Sequence, residues 1–259
     1  MAKRASIPNS YAAWSMRPLH VLALLAPLLA VYEVGSVIFL SGPALGAETI
    51  GARGILGSFF HAFGVASLHL PPIALVAVLL TWHVMLKDPW KLRWGVLAGM
   101  AAESLLWAVP LLVLGVALSM RGQPEAATPA AAIAQNTSLA ELTWQARLTV
   151  SIGAGIYEEL LFRLILIGAV HFLVVDIFRF HSSTGFVVGA IVSAVLFALS
   201  HNLGVPGGGV DLRLLAFYVA AGLYFAIIFI TRGFGIVVAA HAMYDAIALL
   251  VFLKGGQGS

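Results

Sequence analysis

The chain reads as an all-α polytopic membrane protein, a bundle of roughly seven to eight transmembrane helices around a buried polar active-site cavity. Three observations carry that reading. The 259 residues are 61% apolar and only 10% charged, with a mean hydropathy of +1.00, whereas soluble domains run near a quarter charged. Apolar windows long enough to cross a bilayer, about 17–25 residues, fall near 18–40, 70–86, 94–119, 147–175, 184–202, 211–231 and 235–253. Several of these windows also hold ionisable residues at helical spacing. Lipid does not accommodate such groups, so they face partner helices or water.

The first window follows Lys3 and Arg4, as a signal peptide would. It is too long for a signal core and carries Tyr32 and Glu33, so it reads as an uncleaved first span. The stretch from Gly54 to Leu70 is apolar but interrupted by His61 and Gly64. It suits a re-entrant or interfacial helix, or the start of a longer second span. Between Arg121 and Arg147 lies a polar insert rich in Ala and Pro, with the loop composition of a segment outside the bilayer. Within it, Ser138-Leu139-Ala140-Glu141 reads as a capping box and places a helix start near Leu139, with Leu139, Leu142 and Trp144 along the membrane surface. The fourth span is then long enough to need a bend, expected at Gly153 and Gly155.

Orientation follows from the basic residues. A cytoplasmic N-terminus collects Lys3, Arg4, Arg17, Lys87, Lys91, Arg93, Arg179 and Arg232 inside, against Arg53, Arg121, Arg147, Arg213 and Lys254 outside. The positive-inside bias favours that arrangement. The net charge of +3 is too small to suggest nucleic acid and fits membrane-flanking cations. Zero cysteines exclude disulfides, thiol nucleophiles and thiolate metal sites. The whole chain, 1–259, forms a single integral membrane domain: 1–140 supplies N-terminal helices, and 141–253 a core that carries three polar motifs.

The first motif is Glu158-Glu159 with Arg163, the second Phe197 with His201, and the third His241 with Asp245. A charge at the centre of a membrane helix costs roughly 2.5–3.5 kcal/mol, whereas each Leu, Ile or Phe contributes about 0.3–0.6 in favour. The Glu158–Arg163 segment is therefore marginal alone and must be offset by burial against other helices. Residues four apart share a helix face, so Glu159 pairs with Arg163, and His241 with Asp245. Glu158 lies about 100° around the helix and lacks that partner, which leaves it available for proton chemistry. Glu159 and Arg163 are assigned to scaffolding.

A Glu-Glu-x-x-x-Arg motif, then Phe-x-x-x-His, then His-x-x-x-Asp or Asn, in that order on successive apolar helices, resembles the CPBP family. These are the type II CAAX prenyl endopeptidases and their bacterial relatives, including bacteriocin-processing and immunity (Abi-type) proteins. The resemblance covers about 145–253. It implies an intramembrane endopeptidase that hydrolyses a peptide bond in a membrane-associated or lipidated protein, or one with a C-terminal sorting tail, in a prokaryotic cytoplasmic membrane. It also implies that Glu158 and His201 activate a water, that His241 and Asp245 help stabilise the oxyanion, and that Glu159, Arg163 and Phe197 support them, with no cofactor. Asp245 departs from the Asn of the prenyl endopeptidases. An ionised Asp cannot donate to an oxyanion, so it must be protonated or must instead orient His241.

Other chemistries are weighed on the same residues. Glu158, His201 and His241 could form a two-His, one-carboxylate zinc site, although no His-Glu-x-x-His motif is present. Tyr244-Asp245 suggests an aspartyl protease, but Gly207-Gly208-Gly209-Val210-Asp211 falls short of its second motif. A serine protease lacks its Gly-x-Ser-Gly. Non-enzymatic alternatives are a proton-coupled transporter, for which no internal repeat is found, and a peptide-binding immunity protein. Glu33 and Glu103 are expected to be structurally paired. His20, His61, His69, His83, His171 and His181 are expected at interfaces, and Trp14, Trp82, Trp90, Trp94 and Trp144 in an aromatic belt. One tension remains: upright helices with these bounds separate His201 and His241 by about 15 Å in depth. Convergence of the motifs is favoured over the helix bounds.

Overall fold

The computed structural model describes residues 10–40, 70–119, 142–205 and 208–252, with 52, 54–56 and 58 between them. Among these residues the architecture is helical, apart from one antiparallel bridge between Gly204 and Val210. In order, the helices are α1 (Tyr11–Ser15), α2 (Pro18–Phe39), α3 (Leu70–Leu86), α4 (Trp94–Ser119) and α5, which starts at Trp144. Then come α6 (Ser182–Leu199), α7 (Leu212–Arg232) and α8 (Phe234–Ile247), the last continued by a π turn over Ala248–Phe252. Five helical stretches are long and apolar enough to cross a membrane, and Pro71–Leu86 and Phe234–Leu250 are shorter apolar helices. The expected all-α membrane fold is therefore present, with span bounds within three residues of those read from hydropathy. Most of Gly54–Leu70 lies outside the described residues.

The fourth span is where the reading needs correction. Ser138 to Glu141 also lie outside the described residues, and the described helix starts at Trp144 with Thr143 as its cap, whose hydroxyl accepts from the Ala146 N–H at 3.3 Å. From there helix runs unbroken over Trp144–Ile177. No break occurs at Gly153 or Gly155. Gly155 serves a different purpose: a Cβ there would lie 2.7 Å from Ala242 N and 2.9 Å from Val238 O. Its bare Cα lets the backbones of α5 and α8 touch. The departure from α geometry begins at Glu159, where the chain becomes a π-helix over Glu159–Ile167 and again over Phe172–Ile177. Such stretches are rare and tend to sit at functional sites.

The middle of the bundle is α8. From Phe234 to Asp245 its side chains are buried save Met243, as expected of a helix apolar on every side. It packs against α2, α4, α5 and α7. A single residue, Gly233, links it to α7, with φ +84°, a left-handed conformation that glycine adopts without a Cβ clash.

At one end of the bundle, α1 and the α3–α4 turn form a polar layer. Arg17 bridges to Asp88 at 3.2 Å, and Arg93 covers the Trp14 ring at 3.8 Å. Glu103 is paired with Arg232, as the structural reading of that residue expects. Two of the histidines expected at interfaces are instead buried. His20 is 1% exposed and accepts from the Arg93 backbone N–H at 3.2 Å. His83 is likewise buried and packs edge-on against Trp90. Folding the α3–α4 turn back over the helix ends covers both, which hydropathy cannot register. Trp14 is also buried, while Trp82, Trp90, Trp94 and Trp144 are exposed as a belt requires. His181 lies at the exposed α5–α6 turn and His171 is half-buried within the last part of α5, where it contacts Ser182, and His61 and His69 fall outside the described residues.

Candidate active site

All seven candidate residues meet in one place. Glu158 ends the α-helical part of α5, and its Oε2 lies 4.0 Å from His201 Nε2 and 3.9 Å from His241 Nε2. Asp245 Oδ2 lies 3.4 Å from the same His241 nitrogen. The depth conflict disappears although the helix bounds hold. His201 sits just past α6, and its Nδ1 lies 2.7 Å from the Phe197 carbonyl, so the ring turns back by one helical turn toward the bundle.

Those contacts fix the hydrogens. A carbonyl oxygen only accepts, so His201 Nδ1 carries the hydrogen and Nε2 faces Glu158. His241 Nδ1 is 2.7 Å from Glu159 Oε1, which points its Nε2 at Glu158 and Asp245. This second contact extends the scaffolding role expected of Glu159: it holds the His241 ring as well as Arg163. The Glu159 Oε2 to Arg163 Nε separation is 3.2 Å, with both side chains fully buried. Arg163 Nη2 donates to the Gly222 carbonyl at 3.3 Å.

Aromatic rings fill the rest. The Arg163 guanidinium lies 4.4 Å above the Phe197 ring, a favourable placement of cation over π-face. Phe225 stacks on His241 at 4.5 Å and 19°, and Tyr218 stacks on His201 at 3.8 Å and 27°. Sequence reasoning missed Phe225 and Tyr218, because one apolar helix carrying many aromatics gives no sign of which ones face a site. Ser193 Oγ donates to the Phe162 carbonyl at 2.8 Å and ties α6 to the π stretch. Exposure grades across the cluster: side-chain values are 21% for His201 and 14% for Glu158, against none for Glu159 and Arg163. The near-miss Asp211 is a helix cap that accepts from the Arg213 and Leu214 N–H groups.

A zinc ion suits these donors in kind, since each imidazole offers Nε2 while Nδ1 is held by an acceptor. It does not suit their spacing. Ligands about 2.0 Å from a tetrahedral metal lie roughly 3.3 Å apart, and the separations here are 3.9 and 4.0 Å. Among the described residues, no group of three His, Asp or Glu side chains is placed to hold a metal.

Fold and cluster together define a class: a multi-pass helical membrane protein with carboxylates and imidazoles gathered in its apolar interior. Residues 140–247 match the family model described as Type II CAAX prenyl endopeptidase Rce1-like, so this part of the chain is similar to the family that the three motifs resemble. The match supports a hydrolase of the intramembrane CAAX-protease type in general, with a protein or peptide substrate in a membrane setting. No curated protein and no solved structure gives a significant match.

Proposed function

We propose that the protein hydrolyses a peptide bond through a water held between Glu158 and His201, without a metal. The supporting observation is the spacing of Glu158 Oε2 from two Nε2 atoms, 3.9 and 4.0 Å. That is too long for direct hydrogen bonds and right for one water about 2.8 Å from each. Glu158 takes the water proton as the oxygen attacks the carbonyl carbon, and His201 orients the nucleophile. His241, braced by Glu159 and flanked by Asp245, faces the oxygen that becomes the oxyanion. Glu158 then returns its proton to the leaving amine nitrogen. The substrate is a membrane-associated protein or peptide with a lipidated or apolar C-terminal tail, and the N-terminus lies on the cytoplasmic side of a prokaryotic membrane.

The test is cleavage of a quenched fluorescent peptide with a farnesylated CAAX terminus, by the purified protein in detergent. Glu158→Gln and His201→Ala should each lower turnover by about 10²–10⁴-fold, the usual worth of positioned acid–base groups. Wild-type rates in the Glu158 variant would remove the base from this scheme. Loss of activity with 1,10-phenanthroline, restored by zinc, would favour the metal reading on Glu158, His201 and His241.

A further inference from the structure

We infer that the Tyr218 hydroxyl is a donor to the oxyanion, a catalytic role that rests on the hydrolytic reading above. The starting point is a missing donor. His241 Nδ1 is engaged by Glu159, leaving only Nε2 to face a developing charge. Asp245 stands one helical turn further along, and an ionised carboxylate only accepts. With Asp245 acting as a carboxylate that orients His241 and Arg163 set behind Glu159, a tetrahedral intermediate formed here gains from a second hydrogen-bond donor.

Two phenols stand beside the cluster with their oxygens buried and without a hydrogen-bond partner, Tyr218 and Tyr244. A buried hydroxyl with no partner is costly, and an orphaned donor beside a reactive cluster is a group awaiting a ligand. Of the two, only Tyr218 packs its ring on a site imidazole, 3.8 Å from His201 and 27° from parallel. Its ring is further fixed by Phe217 and Phe197, at 5.6 and 6.3 Å. His201 in turn faces Glu158 at 4.0 Å, so the Tyr218 ring lies one imidazole away from the base.

In the step itself, the water oxygen bonds to the carbonyl carbon while Glu158 takes the proton. The carbonyl π pair moves to oxygen, and the Tyr218 O–H and the Nε2–H of His241, present as its imidazolium between Glu159 and Asp245, donate hydrogen bonds to that oxygen without transferring a proton. Collapse restores the carbonyl and breaks the C–N bond, with the proton on Glu158 passing to the amine. The products are one carboxylic acid and one amine for each water consumed.

Tyr218→Phe keeps the ring on His201 and removes only the hydroxyl. On the farnesylated CAAX peptide it should lower kcat by about 10²–10³-fold, as loss of one oxyanion donor does, with KM within about twofold because the bond matters only as charge develops. Gel-filtration profile and melting midpoint should match the parent. Replacing Tyr218 by 3,5-difluorotyrosine gives a readout independent of packing: its more acidic phenol ionises sooner, so activity should fall at lower alkaline pH than in the parent. Parent-like kcat in Tyr218→Phe alongside a dead Glu158→Gln overturns the Tyr218 assignment alone. So does an unchanged pH profile for the fluorinated protein, or a larger loss in Tyr244→Phe. A Glu158→Gln variant that still cleaves, or a parent that does not, overturns the hydrolytic reading and this inference with it.

Discussion

Glu103 and Glu158 are both carboxylates on membrane helices, yet their surroundings are built on opposite plans. Both oxygens of Glu103 are used. Oε1 accepts from Arg232 Nε and from Trp107 Nε1 at 3.1 Å, and Oε2 accepts from Arg232 Nη2 at 2.8 Å and from the Tyr11 hydroxyl. Glu158, by contrast, has neighbours at 3.9 and 4.0 Å and no closer polar partner in the cluster. A structural carboxylate is saturated with donors. Glu158, which the proposed mechanism uses to take up and release a proton, is held close to its partners with a gap that a small molecule can fill. Glu159 falls between the two, because its oxygens are shared between His241 and Arg163.

That contrast can be pressed at three points. The largest effect is expected at Glu159, since Glu159→Gln leaves the buried Arg163 without its counter-charge. Breaking a buried pair on one side typically costs about 3–5 kcal/mol, so the variant should melt well below the parent in detergent and lose most of its cleavage activity. A parent-like midpoint would show that Arg163 is neutralised by something other than Glu159. A smaller effect is expected from Glu103→Gln, which weakens a partly exposed network by about 1–2 kcal/mol. Turnover per folded molecule should stay within twofold, and loss of cleavage at an unchanged melting midpoint would break the division between the two clusters. The smallest effect concerns Tyr11, which lies outside the spans. Burial, and then the Glu103 carboxylate beside it, push its phenol up to about 12 from an ordinary value of 10.0. The fold thus favours the protonated phenol, so its contribution is complete below pH 10 and is lost as pH rises through about 12. Tyr11→Phe should flatten that alkaline loss of stability in a pH series of thermal melts.

What could be read from sequence divides along physical lines. The spans were legible because an apolar run of bilayer length has few alternatives, and α2, α4, α6 and α7 sit within three residues of their hydropathy windows. The pairing of Glu159 with Arg163 was legible because it lies within one helix. Other features depend on where separate helices cross, and spacing along one helix holds no record of that. The Glu159–His241 contact joins residues 82 apart, and the stacks of Tyr218 and Phe225 on the two imidazoles are likewise set by packing. Gly155 was noticed for its lack of a side chain but assigned to a bend, since a small residue signals close approach only once the neighbouring backbone is known. The burial of His20 and His83 was hidden for the same reason: both windows end near them, and only the folded α3–α4 turn covers them.

The buried position of α8 also bears on when the protein becomes competent during synthesis. The glutamate pair and Arg163 leave the ribosome together on one segment and can neutralise each other there. Their imidazole partner at 241 arrives some eighty residues later, on a short helix that turns back at Gly233 and must be wrapped by α2, α4, α5 and α7. A nascent chain that stalls before this hairpin inserts carries Glu158, Glu159 and His201 but lacks His241 and Asp245. The cluster is thus complete only after nearly every described span is seated.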